Sequence, residues 1–291
     1  MARRSGITCV LALLLFVPAP SPAQGNDPWS QEPLPRWVGD FTVLSANAAV
    51  GGITAGVIQK VRGGSFQDGF ARGALGGAVV YAGKRVVIQR WDGAGLVGRQ
   101  VAAVGTSVVR NAAGGRPSLE RVVLPLGPIR FHVRLDSGVV VTPKLDLNTL
   151  IWSGYAASRP ELKWDAARSA SSGAMVFRSP GKGMRYTPTG QEILGFAAAG
   201  AILLSDIPAW RGDVDGTFAH ERVHTLQYDF ASGAWGDPLQ ESLVRLAPGT
   251  RLLDRYVDVN LLEPLAHVSN LIIKEHDRRP WEMEANFLRQ R

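Results

Sequence analysis

The sequence predicts an α+β protein in three parts. A Gly/Ala-rich helical hairpin comes first, a β-hairpin region follows, and a helical C-terminal part carries an edge strand just before its central helix. Three observations support this reading. From about Phe41 glycine and alanine dominate, with Gly69, Gly73 and Gly77 at spacing four. Apolar and polar residues alternate strictly from Ile129 to Leu135. Helical apolar spacing runs through Ala219, Val223, Leu226 and Phe230.

Met1–Ala23 has the order of a secretory signal: basic Arg3 and Arg4, an apolar core at Ile7–Val17, and the small-residue site Ser21-Pro22-Ala23. That core is too short to span a bilayer comfortably. Cleavage would leave a mature chain from near Gln24, and would lower the formal charge from +7 to +5 because Arg3 and Arg4 leave with no acid. The chain's single cysteine, Cys9, lies inside the apolar core, so the mature chain would carry no disulfide. Any metal must then be held by His, Asp or Glu. The expected location is exported: periplasmic, envelope-associated or secreted.

An apolar fraction of 45% is ordinary for a globular chain and supports a sizeable core. The basic residues are scattered, and no basic run is interleaved with aromatics, so the composition argues against nucleic-acid binding. No phosphate-loop pattern occurs among the glycines.

Residues 24–38 read as a flexible leader rich in Pro, Ser and Gln, and residues 39–115 as the Gly/Ala-rich helical region. Phe41–Gln59 has no charged residue, and Lys60–Ser65 reads as the turn of the hairpin. Small residues at spacing four let helix backbones approach closely, in water or in a membrane. The expectation is a soluble, closely packed hairpin, with membrane contact through Phe41–Ala82 as the alternative. Residues 116–291 form the remaining region. There Ile129–Leu135, the turn Asp136-Ser137-Gly138 and Val139-Val140-Val141 make a β-hairpin with one buried face. His132 falls on its polar face and reads as a solvated histidine. Leu147–Tyr155 fits a strand or a short helix, Ala174–Arg178 a strand, and Ser179–Gly190 a loop. Phe196–Leu204 reads as one strand, a core strand by its residues, or a cleft-bordering strand that pairs with extended substrate if the family resemblance of the motif that follows it holds.

The centre of the chain's chemistry is His220-Glu221-Arg222-Val223-His224. Histidines four apart project from one helical face and can hold Zn²⁺, while Glu221 is placed to take a proton from a metal-bound water. A catalytic zinc site needs a third protein ligand. Downstream candidates are Glu241, Glu263, His267, His276, Glu282 and Glu284. Glu282 is preferred: Pro280 suits a first helical turn, Glu282, Ala285, Asn286 and Arg289 share a face, and small Ala285 permits close helix packing. Asn286 is placed to hydrogen-bond a ligating histidine. Glu284 is the second choice and Glu241 the third. Helical apolar spacing also marks Leu239–Leu246, Leu252–Leu262 and Leu265–Ile273. Tyr256, His267 and His276 are candidate oxyanion donors.

His220-Glu221-x-x-His224 with Glu282-x-x-Ala285-Asn286 resembles the gluzincin pattern of HExxH followed by ExxAD, as in CAAX-type and related endopeptidases. With Gln227 added, it is also similar to the HExxHxxQ metallopeptidase-like domains of bacterial exported and toxin-associated proteins. The likeness covers roughly residues 196–291. It implies a zincin-like fold, zinc ligands His220, His224 and Glu282, general base Glu221, and a peptide or protein substrate. Asn286 stands where that pattern has Asp, and the transmembrane spans of the CAAX enzymes are missing. The expected function is an exported zinc-dependent peptidase. Its rival is an envelope-associated structural protein whose glycine-rich hairpin is the working part, with a non-catalytic zinc site.

Overall fold

Three glycine-rich helices stack against a central metal-motif helix, which in turn lies on a small mixed sheet. A computed structural model of the chain describes residues 35–136, 138–181, 183–186, 191–206, 214–236, 249, 251–259 and 279–289. The architecture is α+β. The expected signal segment, most of the expected leader, Glu241, Glu263, His267, His276 and the segments 239–246 and 265–273 lie outside the described residues.

Helix α1 (Arg36–Val61) begins inside the expected leader. Helix α2 (Phe66–Val87) starts after a short turn at Ser65, whose hydroxyl accepts the Asp68 amide as an N-cap. A third helix, α3 (Ala94–Ala113), extends the hairpin to a three-helix layer. Glycines set the spacing on both sides of α2. Gly73 and Gly77 meet the α1 backbone at Gly51 and Asn47, while Gly76 and Gly83 meet α3 at Gly105 and Gly98. A β-carbon at Gly76 would lie 2.7 Å from the Gly105 carbonyl oxygen, and one at Gly105 would lie 2.6 Å from that of Gly76. Only backbone fits there.

The next unit is a four-stranded sheet built from β1 (Arg121–Leu126), β2 (Ile129–Arg134), β3 (Val140–Asp146) and β10 (Val257–Asp258), which lie side by side in that order. The expected hairpin is β2–β3, with Arg134 opposite Val140 and Ile129 opposite Leu145. Its apolar face is less buried than expected, with Ile129, Phe131 and Val133 only half-buried. Arg130 is 8% exposed, whereas Val139, Val141 and Leu145 are exposed. Arg130 turns inward because acids wait for it, its Nη2 lying 2.6 Å from Asp146 and 3.8 Å from Asp229, while Arg134 on the same face is exposed. His132 is likewise not a solvated histidine, since its Nε2 lies 2.5 Å from Asp258 Oδ2.

Asp146 also caps helix α4 (Leu147–Ala157), so that segment is a helix and not a strand. A second sheet contains β4 (Lys163–Trp164), β5 (Met175–Pro180), β8 (Gly195–Ala198) and β9 (Ala201–Asp206), in the order β4-β5-β9-β8. Helix α5 (Ala166–Ser172) lies between β4 and β5. The apolar run 196–204 is therefore two strands, not one. Ala199, at φ 51°, and Gly200 turn the chain between them. Such a run fits a sheet covered on both faces. Ile202 and Leu204 pack with Phe218 on one side, and Leu203 packs with Phe177 and Ala156 on the other. The expected loop at 179–190 contains β6 (Met184–Tyr186), which pairs with β7 (Gln191–Ile193). Among the described residues, strand β8 is an edge of its sheet.

Helix α6 (Val214–Ala231) carries the histidine motif and continues into a π-helical turn at Ser232–Gly236. Val223, Leu226 and Phe230 enter one core with Val80, Val87 and Val109 of the glycine-rich helices and with Ala285 and Leu288. Helix α7 (Arg251–Tyr256) ends where β10 begins, shorter than the apolar spacing of 252–262 suggests. Helix α8 (Pro280–Arg289) closes against α6, and Tyr228 meets Trp281 edge to face at 5.1 Å.

Candidate metal centre

Helices α6 and α8 bring His220, His224 and Glu282 together. All three are buried, at 8%, 7% and 5% exposure. His220 Nε2 lies 2.9 Å from His224 Nε2, and Glu282 Oε2 lies 3.0 and 3.2 Å from those two nitrogens. The i, i+4 spacing supplies the two imidazoles from one face. The third atom arrives because Ala285, fully buried, lets α8 approach α6. The buried stripe of α8 is Glu282, Ala285 and Leu288; Asn286 and Arg289 lie off it.

Two nitrogen donors and one carboxylate oxygen, converging out of water, could hold a metal ion. A tetrahedral ion with bonds near 2.1 Å sets its ligand atoms about 3.4 Å apart. The observed triangle has to widen only slightly to meet that. Three protein ligands leave a fourth position free.

The tautomer of His224 follows from its neighbour. Gln227 Nε2 lies 3.1 Å from the Trp281 carbonyl oxygen and 2.7 Å from Glu284 Oε2, both acceptors, which fixes the amide's orientation. Gln227 Oε1 then faces His224 Nδ1 at 2.7 Å, so Nδ1 carries the proton and the neutral ring offers its Nε2 lone pair to the centre. Gln227, not Asn286, does this work. His220 Nδ1 is buried with no hydrogen-bond partner among the described residues.

Burial alone would push the His224 imidazole down; its hydrogen bond to Glu282, the Glu221 and Glu282 charges and Gln227 outweigh that and raise it to about 9. A proton on Nε2 is thus the competitor of any cation there. Glu221 is 6% exposed and lies on the side facing β8, close to Gly195. Its charge reaches His224, but it is outside the three-atom cluster.

Glu284, the second choice for third ligand, is engaged elsewhere. Lys84 Nζ donates to both of its oxygens at 2.9 and 2.8 Å, and Asn47 Nδ2 donates to Oε1 at 2.7 Å. Burial would raise this carboxyl, yet the Lys84 charge and its hydrogen bonds hold it below the ordinary glutamate value. Lys84 and Asn47 are members of the centre's surroundings that the sequence alone does not single out. The faint signal is a lysine set in a run of small and apolar residues. Tyr256 sits exposed at the end of α7.

Arg99, 1% exposed, anchors the far end of α6 through a 2.8 Å ion pair from its Nε to Asp229 and a bond to the Gly173 carbonyl. The helix that presents the histidines is therefore fixed by α3 at its C-terminal end and by α8 at its middle. No protein-family model matches the chain, and neither a curated protein nor a solved structure matches it, so this centre is defined by its own geometry.

Proposed function

We propose that the chain is an exported zinc-dependent peptidase, with His220, His224 and Glu282 as ligands and Glu221 as general base. The observation that carries this reading is the convergence of the three ligand atoms from two helices, with a further carboxylate beside them that is not in the cluster. Zn²⁺ suits a set of two imidazoles and one carboxylate, and when bound it lowers the pKa of its water and polarises a carbonyl. Glu221 takes the proton of the attacking water and later passes it to the leaving amine. Gln227 keeps the proton of His224 on Nδ1. The edge of β8, next to Glu221, is the place where an extended peptide backbone adds to the sheet.

The test is zinc content together with peptide cleavage by the purified mature protein. Glu221→Gln should leave the fold and the metal in place and slow cleavage by about 10²–10⁴-fold. Equal cleavage by both proteins, with zinc bound in each, would sink the assignment of Glu221.

A second reading keeps an envelope-associated structural role for the glycine-rich helices. What favours it is α1, which is long and apolar enough to cross a membrane by length and composition, with 33% of its most apolar window buried. Trp37, Phe41 and Ile53 stand exposed on it. Purified mature protein that stays monodisperse without detergent argues for the peptidase reading, and detergent dependence for this one.

A further inference from the structure

Lys84 is the residue of the glycine-rich layer that the peptidase mechanism leaves unused. It sits inside α2 and is 2% exposed. A buried ammonium is costly unless its protons all find acceptors. Here they do: Nζ reaches Asn47 Oδ1 at 2.9 Å and the two oxygens of Glu284 at 2.9 and 2.8 Å. Glu284 passes the constraint on, accepting from Gln227 Nε2, and Gln227 Oε1 meets His224 Nδ1. The contacts run unbroken from α2 to a metal-ligating ring, between residues 200 positions apart in the case of Lys84 and Glu284.

The orientation of each group in this chain depends on the one before it. Lys84 grips both oxygens of Glu284 and so fixes where its Oε2 stands. That oxygen is the nearer of the two acceptors that draw Gln227 Nε2 away from the histidine. Without Lys84 a largely buried carboxylate loses its ion pair and cannot keep the same place, because an unpaired charge is driven toward water. The Gln227 amide then has one acceptor fewer to hold its Nε2. Once that amide turns over, it presents N–H to His224 Nδ1, and the ring proton moves to Nε2, where the cation must bind.

We propose that Lys84 is a positioning residue of the metal centre: through Glu284 and Gln227 it holds His224 in the tautomer that leaves Nε2 free for the ion. The glycine-rich helices are on this view a working part of the centre. The proposal rests on the metal-site reading, and its test therefore has one readout that needs no metal.

The full mature chain is compared with Lys84→Met, with the charge-removing pair Lys84→Met/Glu284→Gln, and with Arg85→Met. Arg85 is the next residue along and pairs with Asp40 across the same helix pair without touching the centre. Zinc affinity is read by competition with a chelator, and the His224 ring tautomer by nitrogen NMR of the metal-free protein at a pH high enough for the ring to be neutral. Lys84→Met is expected to weaken zinc about 10–100-fold and to move the His224 proton from Nδ1 to Nε2. The pair variant should recover both, because a neutral amide at position 284 needs no counter-charge and its carbonyl oxygen can again accept from Gln227. Arg85→Met should change neither. Wild-type affinity and tautomer in a folded Lys84→Met protein would overturn the proposal. So would equal losses in Lys84→Met and Arg85→Met, which would make Lys84 a merely structural residue. If wild type binds no zinc, the metal-site reading fails, and the tautomer alone decides for or against the Lys84 relay. If Lys84→Met does not fold, Gln227→Met breaks the relay one step nearer the ring and must produce the same two changes; unchanged values overturn it.

Discussion

The carboxylate of Glu221 lies against the α-carbon of Gly195: a β-carbon on residue 195 would come 2.5 Å from Glu221 Oε1 and 2.7 Å from its Cγ. The edge strand and the proposed catalytic carboxylate are thus in direct contact, and the side chain of residue 195 is limited by the room that Glu221 needs. Gly195→Ala is expected to displace Glu221 while sparing His220, His224 and Glu282. Peptide cleavage should fall by about 10²-fold or more at unchanged zinc content. Retained activity in a folded Gly195→Ala protein would count against the base assignment.

The ligand set predicts a graded series. His220→Ala and His224→Ala should abolish zinc binding, and Glu282→Gln should weaken it strongly, because each removes one of three donors. Metal analysis after dialysis checks this. Full zinc occupancy in Glu282→Gln would transfer the third position to a residue outside the described part, Glu241 first among them.

Acid should loosen the β1–β3 sheet. Burial would raise the Asp258 carboxyl, but His132, Arg130 and Lys144 outweigh it and lower it to about 2, against an ordinary 3.8. A carboxyl depressed in the folded state adds stability above its unfolded value and loses it as pH falls through the folded one. On the order of 2 kcal/mol should disappear between about pH 4 and pH 2. Denaturant unfolding across that window measures it, and Asp258→Asn should flatten the slope there.

Two glycine substitutions should have opposite signs. Gly154 lies in α4 with nothing within 4 Å of where a β-carbon would stand, so Gly154→Ala should stabilise by up to about 1 kcal/mol through helix propensity. At Gly98 the new carbon would meet the Gly83 carbonyl oxygen at 2.7 Å and the α-carbon of Val87 at 2.8 Å. Backbone atoms cannot swing aside as a side chain can, so Gly98→Ala should destabilise by about 1–3 kcal/mol net. Paired thermal melts decide both.

Local periodicity makes much of the fold legible. The His220/His224 face, the glycine helices and the β2–β3 pairing all follow from repeats within a few residues. Alternation along β2 marks two faces but not which one meets the protein, because that depends on Asp146 and Asp229, each on another element. His132 is misread from the sequence for the same reason, its partner Asp258 being 126 positions away. Glu282 is legible only as a preference among several acids. What separates it from Glu284 in the structure is Lys84, a cation that claims the second carboxylate and leaves the first for the imidazoles.

The glycine contacts between α1, α2 and α3 have a mechanical consequence. An interface of backbone against backbone contains no rotamers to readjust, so it cannot absorb a displacement by repacking as a leucine-rich seam does. It also surrenders little side-chain freedom on forming. Such helices register rigidly or separate outright, with few half-loosened states between. A shift of α2 along its neighbours would therefore be passed on, and Lys84, buried on that helix beside Asn47 of α1, would carry it to Glu284.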